Sequence, residues 1–213
     1  MLSAKANNEH IFPKILSALS NKYKVVNNPE KLVHNTANYG VPQTRKRVII
    51  MGVRKDIDNI EVEDLYNNLI QTHWTTETPE NIRHTLIKCV DVKQAIVDLP
   101  KVEPGQDVSC EEHYYPCDNA FLKRIGKKGI YPLYDHIARK HNDLDRERFA
   151  IMIKNHWTFG QLRREMPQYE HAKARLFDNS YVVQWWDMPS KTILAHIWKD
   201  GFQFIHPDES QTR

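Results

Sequence analysis

The sequence predicts an α/β chain, the edge of an α/β sheet followed by a small mixed region, and three observations carry that expectation. Ile11, Phe12, Ile15, Leu16 and Leu19 repeat at helical spacing; Tyr23–Val26 and the β-branched run Arg47–Val53 read as short strands; and the turn-rich stretch Asn35–Pro42 separates those strands. Helix, strand, loop, strand is the order found at the margin of an α/β sheet, where an amphipathic helix covers short apolar strands. It is too little for a whole sheet.

The remaining elements are read in chain order. From Asp56 to about Pro132 periodicity weakens, except in Asp91–Pro100, where Val92, Ile96 and Leu99 share a helical face and Pro100 ends it. Glu103–Asp107 is a turn. Asn142 or Asp143 caps a helix running through Lys154, and a second helical stretch covers Phe159–Phe177 with an interruption near Pro167. Lys191–Trp198 and Phe202–Ile205, joined across Gly201, read as a β-hairpin. No internal repeat or low-complexity tract is present.

Composition narrows the class. With 213 residues, 40% hydrophobic and 10% aromatic, the chain has enough apolar side chains to bury a core, which excludes a disordered tail. No apolar run approaches the roughly 20 residues of a membrane helix, and the N-terminal residues lack the basic-then-apolar order of a signal peptide. Cys89, Cys110 and Cys117 are an odd number at irregular spacing, which argues against a disulfide framework. A cytosolic protein is the expectation. The net charge of +3 conceals segregation: residues 1–55 carry +8, 56–119 carry −10, 120–178 carry +6 and 179–213 carry −1. Basic blocks concentrate a polyanion such as DNA, although an ordinary solvated surface gives the same count.

Tyr39-Gly-Val-Pro-Gln-Thr-Arg-Lys-Arg47 is the most informative stretch. A glycine and a proline fix a loop, and Gln43, Arg45 and Arg47 then alternate along the start of a strand, which places all three on one face. One amide and two guanidiniums on one side suit phosphates and the carbonyl edge of a base, since arginine donates two parallel hydrogen bonds and stays charged. An exposed basic edge strand would share the pattern.

Gln43-Thr-Arg-Lys-Arg47, preceded by Tyr39-Gly-Val-Pro42, resembles the Gln-x-Arg-x-Arg motif, the eighth in the usual count, of DNA cytosine-5 methyltransferases. Pro189-Ser-Lys-Thr-Ile193, Ala195-His196, Lys199-Asp-Gly201 and Ile205-His-Pro-Asp208 resemble the ninth motif of that family, and Asp91–Pro100 and Asp135–Arg139 resemble sequences carried in between. The resemblance implies the edge of a Rossmann-like S-adenosylmethionine-dependent methyltransferase sheet plus a small mixed α+β target-recognition domain. The expected division is 1–56 for the end of the catalytic domain, 57–186 for target recognition, and 187–213 for the ninth-motif hairpin, truncated before the tenth motif.

The function implied is the DNA-recognition and base-holding share of methyl transfer from S-adenosylmethionine to C5 of cytosine, in the cytoplasm of a bacterium with a restriction-modification system. In that chemistry a cysteine thiolate adds to C6 of a cytosine flipped from the duplex, and C5 attacks the sulfonium methyl. Arg47 matches the arginine that holds the cytosine carbonyl, and Arg45 and Gln43 match positions that support the site. No Gly-x-Pro-Pro-Cys, Glu-Asn-Val or Phe-x-Gly-x-Gly segment occurs among these residues, and Pro116-Cys117 lies downstream of the arginines in the wrong setting. The expectation is therefore that this chain holds no cofactor pocket, is inactive alone, and works with the preceding half of the enzyme, either in the same polypeptide or as a separate subunit.

Double-stranded DNA is the expected partner, with Lys123, Arg124, Lys127, Lys128, Arg139, Lys140, Arg163, Arg164, Lys191 and Thr192 as its contacts. Trp185 and Trp186 read as packing residues. Cys110, His113 and Cys117, with His136, have the wrong spacing for a standard zinc site, and no metal is expected. Two other readings stay open: a non-catalytic DNA-binding module built on a helix-turn-helix over 143–177, and a remnant whose unpaired strand edges prevent stable folding.

Overall fold

The computed structural model describes residues 4–109, 112–115, 119–127, 129–170, 180–194 and 201–212. The chain divides into two compact units, residues 1–89 and 90–213. Both mix helices with two-stranded ladders, an α/β composition.

In the first unit, β1 (Lys5–Ala6) and β2 (Glu9–His10) form a tight antiparallel pair that leads into α1 (Ile11–Ser20). The helical spacing puts Phe12 and Leu16 on the buried face of α1. β3 (Tyr23–Val25) follows, then α2 (Pro29–Leu32), which has Asn28 accepting from the Glu30 amide and proline at its first position. β4 (Val33–Asn35), β5 (Gln43–Thr44), β6 (Lys46–Val48) and β7 (Gly52–Arg54) complete the extended segments near the arginines. β4 pairs antiparallel with β6, with His34 opposite Arg47, and β3 pairs antiparallel with β7. α3 (Val62–Asn67), β8 (His73–Trp74), α4 (Glu80–Arg83) and β9 (Ile87–Lys88) follow, β8 and β9 being parallel.

The single strand expected over Arg47–Val53 is instead two strands in two different ladders. The break has a physical cause: the buried Tyr66 hydroxyl receives the Met51 N–H at 2.7 Å and reaches the Ile49 carbonyl at 3.3 Å, satisfying backbone groups that neither ladder pairs. Beyond the break, Gly52 is required by close approach. A Cβ there would sit 3.1 Å from Val25 Cγ1, 3.2 Å from Tyr23 Cβ and 3.3 Å from the Lys24 carbonyl. Phe12, Leu16, Val26, Leu32, Val53, Val62 and Tyr66 form the core of this unit.

In the second unit, α5 (Val92–Ile96) starts from a capping box in which Asp91 and Gln94 exchange side-chain-to-backbone bonds. Its remaining first-turn amides are met by the chain at 186–188, since Val92 N–H donates to the Met188 carbonyl and Lys93 N–H to the Trp186 carbonyl. β10 (Glu112–Tyr115) and β11 (Gly129–Pro132) are antiparallel and flank α6 (Ala120–Arg124), whose cap Asn119 accepts from the Phe121 and Leu122 amides. α7 (Asp143–Asn155) is capped by Asn142, carries Asp143 and Asp145 in its positive first turn, and ends at His156 in the left-handed conformation. α8 (Phe159–Glu165) starts from a Thr158–Gln161 capping box. The interruption expected near Pro167 is present, with α8 ending at Glu165 and a 3-10 turn spanning Pro167–Tyr169; most of the remaining stretch expected to Phe177 falls on 171–179, outside the described residues.

The hairpin expected at the end of the chain is not what the described residues form. β12 is Ser190–Lys191, residues 195–200 lie outside the described residues, and Gly201–Phe204 is a 3-10 turn. Only Ile205 is extended enough to bridge, in parallel, to Val183. Burial decides this outcome, because Ile205 is wholly buried in the core with Phe149, Met152, Phe159, Leu162 and Tyr181. A smaller cluster of Val102, Val108, Leu122, Leu133 and Ala138 completes the unit.

Candidate nucleic-acid interface

The segment that carries Gln43, Arg45 and Arg47 is built on a buried asparagine. Asn35, 6% exposed, ends β4, and its Oδ1 accepts from the Ala37 amide and from the Arg45 amide, each at 3.2 Å. The first bond caps the 3-10 turn Thr36–Tyr39, and the second reaches across to the arginine arm. Thr36 completes the clamp, donating its amide to the Arg45 carbonyl at 3.0 Å and its hydroxyl to the Gln43 carbonyl at 2.8 Å. Gly40, at φ 86°, turns the chain back and donates to the Ala37 carbonyl. The backbone of the arm is therefore held at three points, the Gln43 carbonyl and both polar groups of Arg45, before its own side chains are considered.

Arg45 falls between β5 and β6, so the strand alternation read from the sequence is interrupted at its middle residue. Gln43 and Arg45 are half-buried and Arg47 is exposed. Arg47 Nη1 donates to the Lys46 carbonyl at 2.8 Å, and among the described residues Arg47 has no carboxylate partner. Lys46, on the opposite side of the strand, pairs with Glu77 at 2.8 Å. Across the ladder from Arg47, His34 Nδ1 lies 3.0 Å from the Tyr39 hydroxyl while its buried Nε2 has no partner. Burial pushes the Tyr39 phenol up, so it stays a neutral hydrogen-bonding group. Asn35 and His34 are the site residues that sequence reading missed. An asparagine directly before a Thr-x-x-Tyr-Gly turn was the available signal for the first.

The cations of the second unit separate into local groups. Lys123 and Arg124 occupy the exposed last turn of α6, and Lys127 follows with its ammonium 5.0 Å from the centre of the Tyr131 ring. Lys128 lies outside the described residues. Arg139 is half-buried and Lys140 exposed in the loop before α7. Arg163 is drawn inward, over the Phe159 ring and 3.7 Å from Glu170, whereas Arg164 is exposed beside Glu165 at 3.5 Å. Lys191 donates its ammonium to Gln203 and its amide to Gln184, and Thr192 beside it is half-buried.

Sequence reading also missed the buried ion pair that holds this unit together. Arg148 and Asp145 are 4% and 6% exposed and pair at 2.8 Å. Arg148 Nε donates to the Tyr169 carbonyl, while Tyr181 and Asn142 donate to the two oxygens of Asp145. Burial, then the Asp145 charge, pushes the Tyr181 phenol far above its ordinary range. Every strong donor and acceptor in this cluster has a partner, which is the condition for tolerating a charge pair inside a core. Of the four residues weighed as a zinc site, Cys110 and Cys117 lie outside the described residues, and His136 Nε2 is engaged by the Pro100 carbonyl at 3.1 Å.

These features meet what comparison with known proteins finds. A model of the C-5 cytosine-specific DNA methylase family matches residues 2–194, and the chain belongs to that family. It is similar to the type II methyltransferase M.Bpa9945I of Bacillus paralicheniformis, with 29% identity over 185 residues that cover 83% of this chain and 38% of the relative. The putative type II methyltransferase M.OihORF3336P of Oceanobacillus iheyensis is 25% identical, with 83% and 50% covered, and the type II methyltransferase M.DdeI of Desulfomicrobium norvegicum is 24% identical, with 83% and 39% covered. The chain thus spans between 38% and 50% of the length of these relatives. No solved structure matches. No helix among the described residues is long and apolar enough to cross a membrane.

The family implies S-adenosylmethionine as methyl donor. Two clefts lie among the described residues: one is walled by aromatic side chains around Trp157 and Trp185, the other is a groove between α1 and the chain at Val25–Asn27. Neither presents a carboxylate for the ribose hydroxyls, so these residues do not fit the cofactor.

Proposed function

We propose that this chain supplies the base-holding arginine strand and the DNA-recognition region of a cytosine-5 methyltransferase of the restriction-modification type, acting on double-stranded DNA in a bacterial cytoplasm. The observation that carries the reading is the clamp of Asn35 and Thr36 on the Gln43–Arg45 backbone, which leads to an exposed guanidinium, Arg47, with no carboxylate partner among the described residues. A cation fixed in place but not neutralised is available to a ligand oxygen. Arg47 donates to the carbonyl of the extruded cytosine and stabilises charge pushed into the ring, while Arg45 and Gln43 support the loop that presents it.

Residues 1–56 form the edge of the Rossmann-like catalytic domain in this reading, 57–186 the target-recognition region, and 187–213 the ninth-motif segment. Lys123, Arg124, Lys127, Lys128, Arg139, Lys140, Arg164, Lys191 and Thr192 contact the duplex, chiefly at phosphates. Arg163 contributes less, because Glu170 and the Phe159 ring already hold it. The thiolate, the glutamate and the S-adenosylmethionine pocket come from a segment bearing Gly-x-Pro-Pro-Cys, Glu-Asn-Val and Phe-x-Gly-x-Gly, whether covalently joined or supplied as a subunit.

A helix-turn-helix module without methyl transfer is favoured by one observation, the tight left-handed turn at His156 between α7 and α8. It is opposed by the inward placement of Phe159, Leu162 and Arg163, which leaves little of α8 to read a groove. Mixing the 213-residue chain with a polypeptide carrying the three missing motifs separates the readings. Transfer of labelled methyl groups to DNA, absent from either component alone, is the expected result; DNA binding unaffected by the added polypeptide, with no methyl transfer, favours the module.

A further inference from the structure

Val183 is 6% exposed, yet among the described residues neither its N–H nor its C=O has a hydrogen-bond partner. The cause is the geometry of its parallel bridge to Ile205. The flanking groups take the bonds: Ile205 N–H donates to the Val182 carbonyl and Gln184 N–H donates to the Ile205 carbonyl, so the polar groups of Val183 are turned to the opposite edge. Fewer than about one buried backbone group in ten lacks a partner in folded proteins, and here one residue lacks two. That edge opens on a cleft of about 300 Å³ lined by Trp157, Thr158, Phe159, Gly160, Tyr181 and Trp185 among others. His156 stacks against Trp185 at a ring distance of 4.9 Å.

The chemistry of the walls selects a ligand class. Among the described residues no side chain lining the cleft is charged, which disfavours a phosphate. Aromatic faces attract a planar π system, and a paired N–H and C=O in one edge match a heterocycle that presents an acceptor beside a donor. Ordered water would satisfy Val183 but leave the aromatic faces unused. A nucleobase meets both requirements, and every base has a π face and such an edge.

We propose that this cleft binds a nucleobase unstacked from DNA, laid on the Trp157 and Trp185 wall with its edge hydrogen-bonded to the backbone of Val183. The proposal rests on the reading of the chain as DNA-binding and adds a recognition site to it. The site is permissive for base identity, because a backbone donor and acceptor accept more than one edge.

Gly160 supplies the test variant. A Cβ built there meets only Thr158 Oγ1, at 3.9 Å, so the position accepts a side chain, and Gly160→Leu adds apolar bulk at a residue lining the cleft and removes a glycine from a helix. The 15N-labelled chain is titrated with deoxyadenosine and deoxycytidine, with 2-deoxyribose 5-phosphate and N-acetyltryptophanamide as controls, reading the Val183 amide resonance and tryptophan fluorescence. Both nucleosides are expected to move the Val183 amide and quench fluorescence saturably, the sugar phosphate to do neither, and Gly160→Leu to weaken nucleoside binding at least about tenfold while melting no lower than the parent. A second variant, Trp185→Leu, is expected to lose nucleoside binding by a similar factor while the chain keeps a cooperative melting transition. A Val183 amide unmoved by nucleosides overturns the proposal, as does saturation by N-acetyltryptophanamide in preference to them, which would mark a protein side chain as the occupant. A duplex that binds with Val183 unmoved overturns this site and spares the DNA-binding reading; nucleosides that bind to a chain indifferent to duplex or single-stranded DNA do the reverse.

Discussion

Replacing Asn35 with alanine removes one oxygen and leaves two backbone donors without an acceptor. The Ala37 amide is a cap bond, whose loss costs about 0.5–2 kcal/mol, and the Arg45 amide becomes an unsatisfied, partly buried donor at about 1–3 kcal/mol. Allowing for some relaxation towards water, the sum is roughly 2–4 kcal/mol, and it falls on the loop that presents the arginines. Asn38 is the internal control. It lies three residues away in the same turn, but its Oδ1 is buried with no partner, so Asn38→Ala costs less than about 0.5 kcal/mol. Urea denaturation of the two variants gives the free energies, and amide exchange at Ala37 and Arg45 shows where the loss falls. Equal destabilisation by both substitutions, or an Asn35→Ala cost below about 0.5 kcal/mol, would refute the claim that Asn35 clamps the arm.

Four further outcomes follow from the structure. Arg148→Met strands the Asp145 carboxylate inside the second unit and is expected to cost about 3–5 kcal/mol, whereas Asp145→Leu with Arg148→Met costs clearly less than the single change; a double-mutant cycle in urea measures both. Gly52→Ala forces a Cβ against Val25, Tyr23 and the Lys24 carbonyl and is expected to cost about 1–3 kcal/mol, read as a lower melting temperature with the β3·β7 ladder exchanging first. Burial lowers the His141 pKa, against a smaller opposing pull from Asp145, so the unfolded chain takes up this proton first as pH falls. Stability therefore declines on acidification below about pH 6.5, and His141→Phe, which keeps the ring contact with Phe149, flattens that part of the profile relative to the parent. Asp208 acts in a lower window. Partial burial raises its pKa, but hydrogen bonds from Gln211 and Ser210 and the charge of Lys101 outweigh that and hold it well below its usual range, so its contribution fades only as pH drops under about 4.

Local chemistry was legible where one side chain decides the backbone. Apolar spacing located α1 and α5, and Asn142 or Asp143 marked the start of α7, because caps and periodic faces are written within a few residues. Long-range bonds were not legible. Nothing near Ile49–Met51 foretells that the hydroxyl of Tyr66 will split the strand, and nothing near Phe202 foretells that burial of Ile205 will replace a hairpin arm with a 3-10 turn. The candidate site follows the same division. The order and identity of Gln43, Arg45 and Arg47 could be read directly, but the Asn35 and Thr36 clamp that positions them depends on a loop closing over ten residues. The Arg148–Asp145 pair was hidden for another reason: in sequence it is one more acid and base at helical spacing, and only burial by Tyr181 and the chain at Tyr169 distinguishes it from a solvated pair.

The central claim, that the clamped arm presents a guanidinium to the target cytosine, is tested most directly by single-turnover methyl transfer with Arg47→Ala in the chain complemented by the missing motifs. The account predicts a rate lower by about 10²–10³ with little change in the affinity for duplex DNA. An unchanged rate, or a loss confined to DNA affinity, would contradict it and make Arg47 one more phosphate contact.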